Sequence, residues 1–210
     1  MLIDIHSHHL SPASSATVLS LCMRDGLPQA GARLLSVGIH PWYLSDGDLQ
    51  QQMRWLEMMA DDGRVIAIGE AGLDRRCGTP LELQLTAFKF VVGVAESHRL
   101  PLVVHCVKAA SDIVGLKRAL SPSQPWIMHG FRGKPELAES LLRHGFFLSF
   151  GERFNVEALK LTPLDRLFLE TDECRSGIGD IYNKVAAVRG IPQLCLEAAV
   201  AENLRLVFRL

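Results

Sequence analysis

The chain has 210 residues, 48% hydrophobic and 21% charged, with a formal net charge of −1. That length supports one sizeable core and is short for two, so a single domain spanning residues 1–210 is expected. The near-neutral balance argues against a broad non-specific nucleic-acid surface, and no run of eighteen apolar residues is present to span a membrane.

The first residues lack the basic-then-apolar order of a secretion signal. Five cysteines (Cys22, Cys77, Cys106, Cys174, Cys195), odd in number and without CxxC spacing, read as reduced thiols of a cytoplasmic protein. A structural zinc cluster built on Cys is not expected.

In chain order, Met1–Ile5 reads as a short strand, and His6 and His8 follow it at a spacing of two. Residues i and i+2 of extended backbone point to one face, so the two imidazoles can share a metal. The alternative is a pair of solvated histidines. After the turn-rich stretch 9–15, Ala16–Cys22 suggests a short strand and Gly26–Gly31 a loop. Leu34–Gly38 is a strand candidate leading into Ile39-His40-Pro41-Trp42. Ser45 or Asp46 is expected to cap a helix running to about Met59, with Leu49, Met53, Leu56 and Met59 on its core face.

Val65–Gly69 is a continuous apolar run of the kind buried on both faces of a parallel sheet, followed by Glu70-Ala-Gly-Leu-Asp74. Thr79-Pro-Leu-Glu82 has the form of a capping box, with Thr79 at N-cap and Pro80 at N1. The core stripe of the helix it opens is Leu81, Leu85, Phe88, Val92 and Ala95. Pro101–Cys106 is a strand with a helix near 110–120 behind it. Trp126–Gly130 is a strand, then Pro135–Arg143 a helix closed by Gly145. Phe146–Phe150 and Leu167–Thr171 are strands separated by a short helix over Asn155–Leu161, and helices at 178–189 and 192–208 complete the chain.

Strands alternating with helices imply a parallel sheet. The count of seven strands, eight with the run ending at Cys22, favours α/β architecture of the TIM-type (β/α)8 barrel over an open sheet. The segment after strand one has no room for both a regular helix and a strand, so the barrel is expected to be distorted and trimmed there.

Ligand-type residues fall at the ends of these strands: His6 and His8, His40, Glu70, His105, His129 and Asp172. The C-terminal strand ends of a parallel barrel face one mouth, where active sites lie. Imidazole with carboxylate is the donor set of Zn²⁺ or Mn²⁺, and seven such residues exceed the needs of one tetrahedral ion. Two metals bridged by a carboxylate account for the surplus. The bland alternative is a set of satisfied core histidines. His98 and His144 lie late in helices, where histidines are ordinary.

The motifs Asp4-Ile-His-Ser-His8, Gly38-Ile-His-Pro41, Ile68-Gly-Glu-Ala-Gly-Leu-Asp74, Val104-His105, His129-Gly-Phe-Arg-Gly133 and Leu169-Glu-Thr-Asp172 resemble, in order and spacing, the TatD family of metal-dependent hydrolases. The tail Val200–Phe208 is similar to the family's last helix. The resemblance implies a distorted, metallo-dependent-hydrolase-like TIM barrel, of a short form, and a nuclease activity. It implies that His6, His8 and Asp172 hold one divalent ion, that His105 and His129 hold a second, and that Glu70 bridges them, with Zn, Mn or Mg as the candidate metals. His40 would orient a water or the substrate. A metal-bound hydroxide would attack phosphorus, with Asp172 taking the proton, so that Asp172, Glu70 and His40 carry the chemistry. Cys106-Val107-Lys108 after His105 and the segment Glu173–Asp180 depart from the family's usual pattern, which concerns substrate contacts more than metal ligands.

Cations recur in the same loops: Arg75, Arg76, Lys108, Arg132, Lys134, Arg153 and Arg175. They suggest a locally positive mouth and a phosphate-bearing substrate, DNA ends being the first candidate, with Arg132 or Lys108 on a non-bridging oxygen. Trp42, Phe131 and Phe154 are the few aromatics there, so an extended stacking platform is not expected. Gly130 and Gly133 suggest close backbone approach or simple turn geometry. No obligatory protein partner is readable. The expected activity is therefore a metal-dependent phosphodiesterase or deoxyribonuclease. The alternatives are a metal-dependent amide or ester hydrolase of a small substrate and a non-catalytic metal-binding scaffold.

Overall fold

A computed structural model describes residues 1–10, 14, 16–174 and 176–209. Eight strands are present: β1 (Ile3–Ser7), β2 (Ala16–Cys22), β3 (Leu34–Gly38), β4 (Val65–Asp74), β5 (Leu102–Val107), β6 (Trp126–Met128), β7 (Phe146–Phe150) and β8 (Leu167–Leu169). They are hydrogen-bonded in chain order. The helices are α1 (Leu49–Ala60), α2 (Leu81–His98), α3 (Ala110–Leu120), α4 (Pro135–Arg143), α5 (Val156–Leu161), α6 (Ile178–Arg189) and α7 (Gln193–Phe208). Among the described residues no α-helix separates β1 from β2, which agrees with the trimmed first crossover. No helix is long and apolar enough to cross a membrane.

The chain forms two compact units, one of Met1–Leu19 with Ile127–Leu210 and one of Ser20–Trp126. In the first unit, the fully buried Ile3, Ile5, Leu148, Phe150, Phe168 and Leu169 form the centre, covered by α6 and α7. Tyr182 of α6 locks the start of β1, its hydroxyl donating to the Ile3 carbonyl (3.1 Å) and accepting from the Ile3 N–H (3.3 Å). Buried Asn203 of α7 donates to the carbonyls of Leu164 (2.7 Å) and Leu167 (2.9 Å), so that one amide fixes where β8 begins. Beyond β8, the chain returns to β1: Asp172 N–H donates to the His6 carbonyl (2.9 Å) and His8 N–H to the Asp172 carbonyl (3.3 Å).

The second unit is built on β4, all ten of whose residues are buried, paired in parallel with β3 and β5 and covered by α2. The sequence reading ended this strand at Gly69 and put Glu70 after it. Glu70 instead lies within the strand, because Ala71–Asp74 continue the ladder against Val104–Val107. Between Ile68 and Ala71 the register slips by one residue, a bulge that re-aims the Glu70 side chain. Close packing dictates glycine at two neighbouring positions. A Cβ on Gly72 would stand 1.8 Å from the His105 carbonyl oxygen, and one on Gly38 would stand 2.4 Å from that of Glu70.

Two helix starts differ from expectation. For α1 the N-cap position falls to Asp48 rather than Ser45 or Asp46; the Asp48 carboxylate accepts from Ser45 N–H (3.0 Å) and the Gln52 amide (2.9 Å). For α2 the cap is Pro80, since Thr79 turns its hydroxyl to the Pro41 carbonyl (2.7 Å) and holds the loop after β3. The buried face of α2 is also rotated. Leu81 and Leu85 are half-exposed, whereas Gln84 is buried, with its amide accepting from Asp74 N–H (2.7 Å) and donating to the Asp74 carbonyl (3.0 Å). A polar core residue displaced two leucines because the end of β4 needs its backbone groups satisfied.

Candidate metal-binding clusters

The first unit gathers His6, His8, His129, Glu170 and Asp172. His6 is wholly buried, and its ring lies 4.4 Å from that of His129 and 5.3 Å from that of His8. Asp172 Oδ1 stands 3.8 Å from His6 Nε2 and 3.7 Å from His8 Nε2. These spacings are too long for hydrogen bonds. Two donors each about 2.1 Å from a tetrahedral ion would stand about 3.4 Å apart, so the gap is close to ion size and the donor set fits a divalent metal. Asp172 reaches this place at φ +56°, a left-handed backbone that costs a non-glycine residue on the order of 1 kcal/mol and holds its carboxylate over β1.

Two buried carboxylates that the sequence reading did not single out hold this cluster in place. Asp4 accepts from Thr171 N–H (3.0 Å) and the Thr171 hydroxyl (2.6 Å), tying β1 to the segment that carries Asp172. Burial pushes the Asp4 carboxyl up to about 7 against those hydrogen bonds, and the Glu170 charge adds to the rise. Glu170 is fully buried and accepts from Gly130 N–H (2.6 Å) and His129 Nδ1 (3.3 Å). Burial acts to raise Glu170, but His129 and His6 beside it outweigh that and hold it below the usual carboxylate value. Ionised Glu170 therefore favours the His129 tautomer with its proton on Nδ1. Both acids were legible as a pattern: Asp4 precedes His6 by two residues and Glu170 precedes Asp172 by two.

His40, Glu70 and His105 converge in the second unit. His40 Nε2 lies 3.1 Å from Glu70 Oε1 and 3.3 Å from His105 Nδ1, and His105 Nδ1 lies 2.5 Å from Glu70 Oε1. Outer partners assign the protons. His40 Nδ1 accepts from Trp42 N–H (3.1 Å), so neutral His40 carries its proton on Nε2 and is a donor toward Glu70. His105 Nε2 faces Asp74 Oδ2 (3.3 Å), which also accepts from the Trp42 indole (2.6 Å). Burial tends to raise Asp74, but the bonds from Trp42, Arg76 N–H and His105 hold it low. His105 Nδ1 and His40 Nε2 both face Glu70 Oε1, a His/Glu/His donor set of the kind that holds a divalent cation. The three residues together are a group that could hold a metal ion.

The expected cations are dispersed. Arg132 lines a cleft of about 200 Å³ with Asp172, Glu170 and Arg153, in which Glu152 and Glu173 also stand, so the cleft itself is more acidic than basic. Lys108 is exposed just beyond β5 at φ +52°. Arg75 is engaged by Asp112 through contacts of 2.9–3.0 Å. Arg175 lies outside the described residues. Phe131 is buried rather than offered to a substrate, its ring packing at 5.8 Å on that of Phe150. Gly133 is explained by the same ring, which a Cβ there would meet at 2.7 Å.

The fold and these clusters define a class: an α/β barrel of parallel strands with His/Glu/Asp groups that could hold metal ions. A solved structure of the same fold is YjjV, a TatD homolog from Escherichia coli K12, with a TM-score of 0.80 and 19% identity over all of this chain and 98% of that one. The sequence profile described as "TatD related DNase" matches residues 8–209, and the chain belongs to that family. Among relatives, the uncharacterized metal-dependent hydrolase YabD of Bacillus subtilis is 32% identical over 65% of this chain and 57% of its own length. The 3'-5' ssDNA/RNA exonuclease TatD of Erwinia tasmaniensis is 34% identical over 65% and 56% respectively. The chain thus spans little more than half the length of the curated relatives it matches.

Proposed function

We propose that the protein is a metal-dependent phosphodiesterase that hydrolyses nucleic-acid strands, in keeping with the nuclease names of its relatives. The observation that carries this reading is the ion-sized spacing of Asp172 from both His6 and His8. The ligand sets retain the assignment implied by the family: His6, His8 and Asp172 for one ion, His105 and His129 for another, Glu70 shared. When bound, divalent ions supply positive charge against phosphoryl oxygens and lower the pKa of water. Asp172, half-buried at its cleft, accepts the proton of the attacking water. His40, beside Glu70, orients a water or the substrate. Arg132, on the cleft shared with Asp172, binds a non-bridging oxygen, and exposed Lys108 does the same. The free cysteines fit a cytoplasmic setting.

The decisive experiment measures metal per chain and turnover of a nitrophenyl phosphodiester, labelled single-stranded DNA and a nitrophenyl ester with Mg²⁺, Mn²⁺ or Zn²⁺. About two ions per chain are expected, with diesterase activity falling at least a hundredfold in Asp172→Ala and Glu70→Ala. Ester-only turnover would replace this reading with hydrolysis at carbon, and metal without turnover with a scaffold.

A further inference from the structure

Trp42 is 56% exposed, whereas the other tryptophan at a strand, Trp126, is wholly buried. Its exposure is not that of a loose side chain. The indole N–H is fixed on Asp74 at 2.6 Å, and the ring stands edge-to-face with His40 (5.1 Å, 86°) and near His105 (5.9 Å). A residue serving only to support Asp74 gains nothing from leaving so much indole in water. The ring borders an open groove of about 410 Å³ whose other walls mix the apolar Leu44, Pro80 and Leu83 with the polar Ser45, Asp46 and Thr79. That volume lies in the range of small-ligand sites. Beside it, the guanidinium of Arg24 stacks on Tyr43 at 3.9 Å and puts a cation at the same patch.

We propose that Trp42 is a stacking platform for a nucleobase of the bound strand. It rests on the nuclease reading given above and deepens it. A flat π-surface held rigid before the ligand arrives accepts any base without sequence preference and without the entropy of ordering a side chain. Its distance from His40 and His105 puts the stacked nucleotide next to the second cluster. The strand is therefore held by a base as well as by its phosphates, which is in keeping with the single-stranded substrate in the name of the Erwinia tasmaniensis relative.

Two single-stranded oligonucleotides test this, one complete and one abasic in its terminal nucleotides, assayed with Mn²⁺. Stacking of one base is worth about a tenfold change in affinity. Trp42→Ala should raise KM for the complete strand by about that factor and leave the abasic strand unchanged, and Trp42→Phe, which keeps a ring but not the N–H, should stay close to wild type. In EDTA, the complete strand should quench tryptophan emission saturably in the wild type and not in Trp42→Phe. Equal losses on both strands would assign Trp42 to support of Asp74 and overturn the proposal, as would no loss on either or the absence of quenching. If the wild type cleaves neither strand the nuclease reading falls first, a result unlike the others because it precedes any effect of Trp42.

Discussion

At the scale of single residues, the site depends on which imidazole nitrogen keeps its proton. Glu170 bears on this for His129 through Nδ1, whereas His105 meets a carboxylate at each nitrogen, Glu70 at Nδ1 and Asp74 at Nε2. Glu170→Gln keeps the shape and removes the charge that fixes the His129 tautomer. Partners of metal-ligating histidines typically contribute ten- to hundredfold in affinity, so Glu170→Gln should weaken metal binding by about 30-fold in chelator competition. Nitrogen NMR shifts of His129 in the metal-free protein should show the loss of a single Nδ1–H tautomer. Unchanged affinity would assign Glu170 to packing alone. In sequence, Glu170 is visible only as part of a motif. What makes it a partner of His129 is a contact across 41 residues that no local pattern encodes.

At the scale of elements, strand β4 carries the most constraint. Its bulge places Glu70, its continuation places Asp74, and Gly72 between them lets β5 approach closely enough to bring His105 to both. Gly72→Ala forces a Cβ to within 1.8 Å of the His105 carbonyl, so the two strands must separate. The expected cost is about 3 kcal/mol by denaturant titration, at the upper end of overpacking effects, with a further loss of metal affinity as His105 moves. Gly93→Ala is the control: in the middle of α2, with no atom within 4 Å of its Cβ, it should stabilise by about 1 kcal/mol. Most element positions were readable from sequence. The pattern at Val65–Gly69 announced a buried strand, and Pro135–Arg143 and Phe146–Phe150 lie where their periodicity and flanking signals put them. The misplaced helix starts share a cause: Thr79 and Ser45 look like caps locally, but their groups are taken by neighbours from elsewhere in the chain or one turn away.

For the whole molecule, metal and folding are linked. An ion held by the His/Glu/Asp groups of a cluster in the native state, and not in the unfolded chain, stabilises the fold. One ion at about 100 times its Kd adds about 2.7 kcal/mol, which for a chain of this size is a rise in Tm of about 5–10 °C. Thermal unfolding with Mn²⁺ or Zn²⁺ should show this rise, EDTA should reverse it, and His6→Ala should reduce it. A Tm indifferent to metal would remove the ions from both clusters. The expectation of one domain over residues 1–210 stands as a proposal beside the two compact units of the chain, and a single cooperative transition followed by both circular dichroism and fluorescence would support it.

The amino-acid sequence alone determined the class of fold, because alternating strand and helix periods leave few other arrangements, and it determined the ligand types, because His6, His8, Glu70, His105, His129 and Asp172 carry their chemistry wherever they sit. Their family order was also legible, being a matter of motifs along one dimension. Only the tertiary structure decided the rest: that Glu70 lies on a bulge, that Asp4 ties down Thr171, that Asp74 and Glu170 face His105 and His129, and that Trp42 faces solvent while Phe131 does not. The physical reason is common to all of these. Asp74 meets His105 across 31 residues, Glu170 meets His129 across 41 and Asp4 meets Thr171 across 167, and a linear pattern fixes a residue's type and face but not such neighbours.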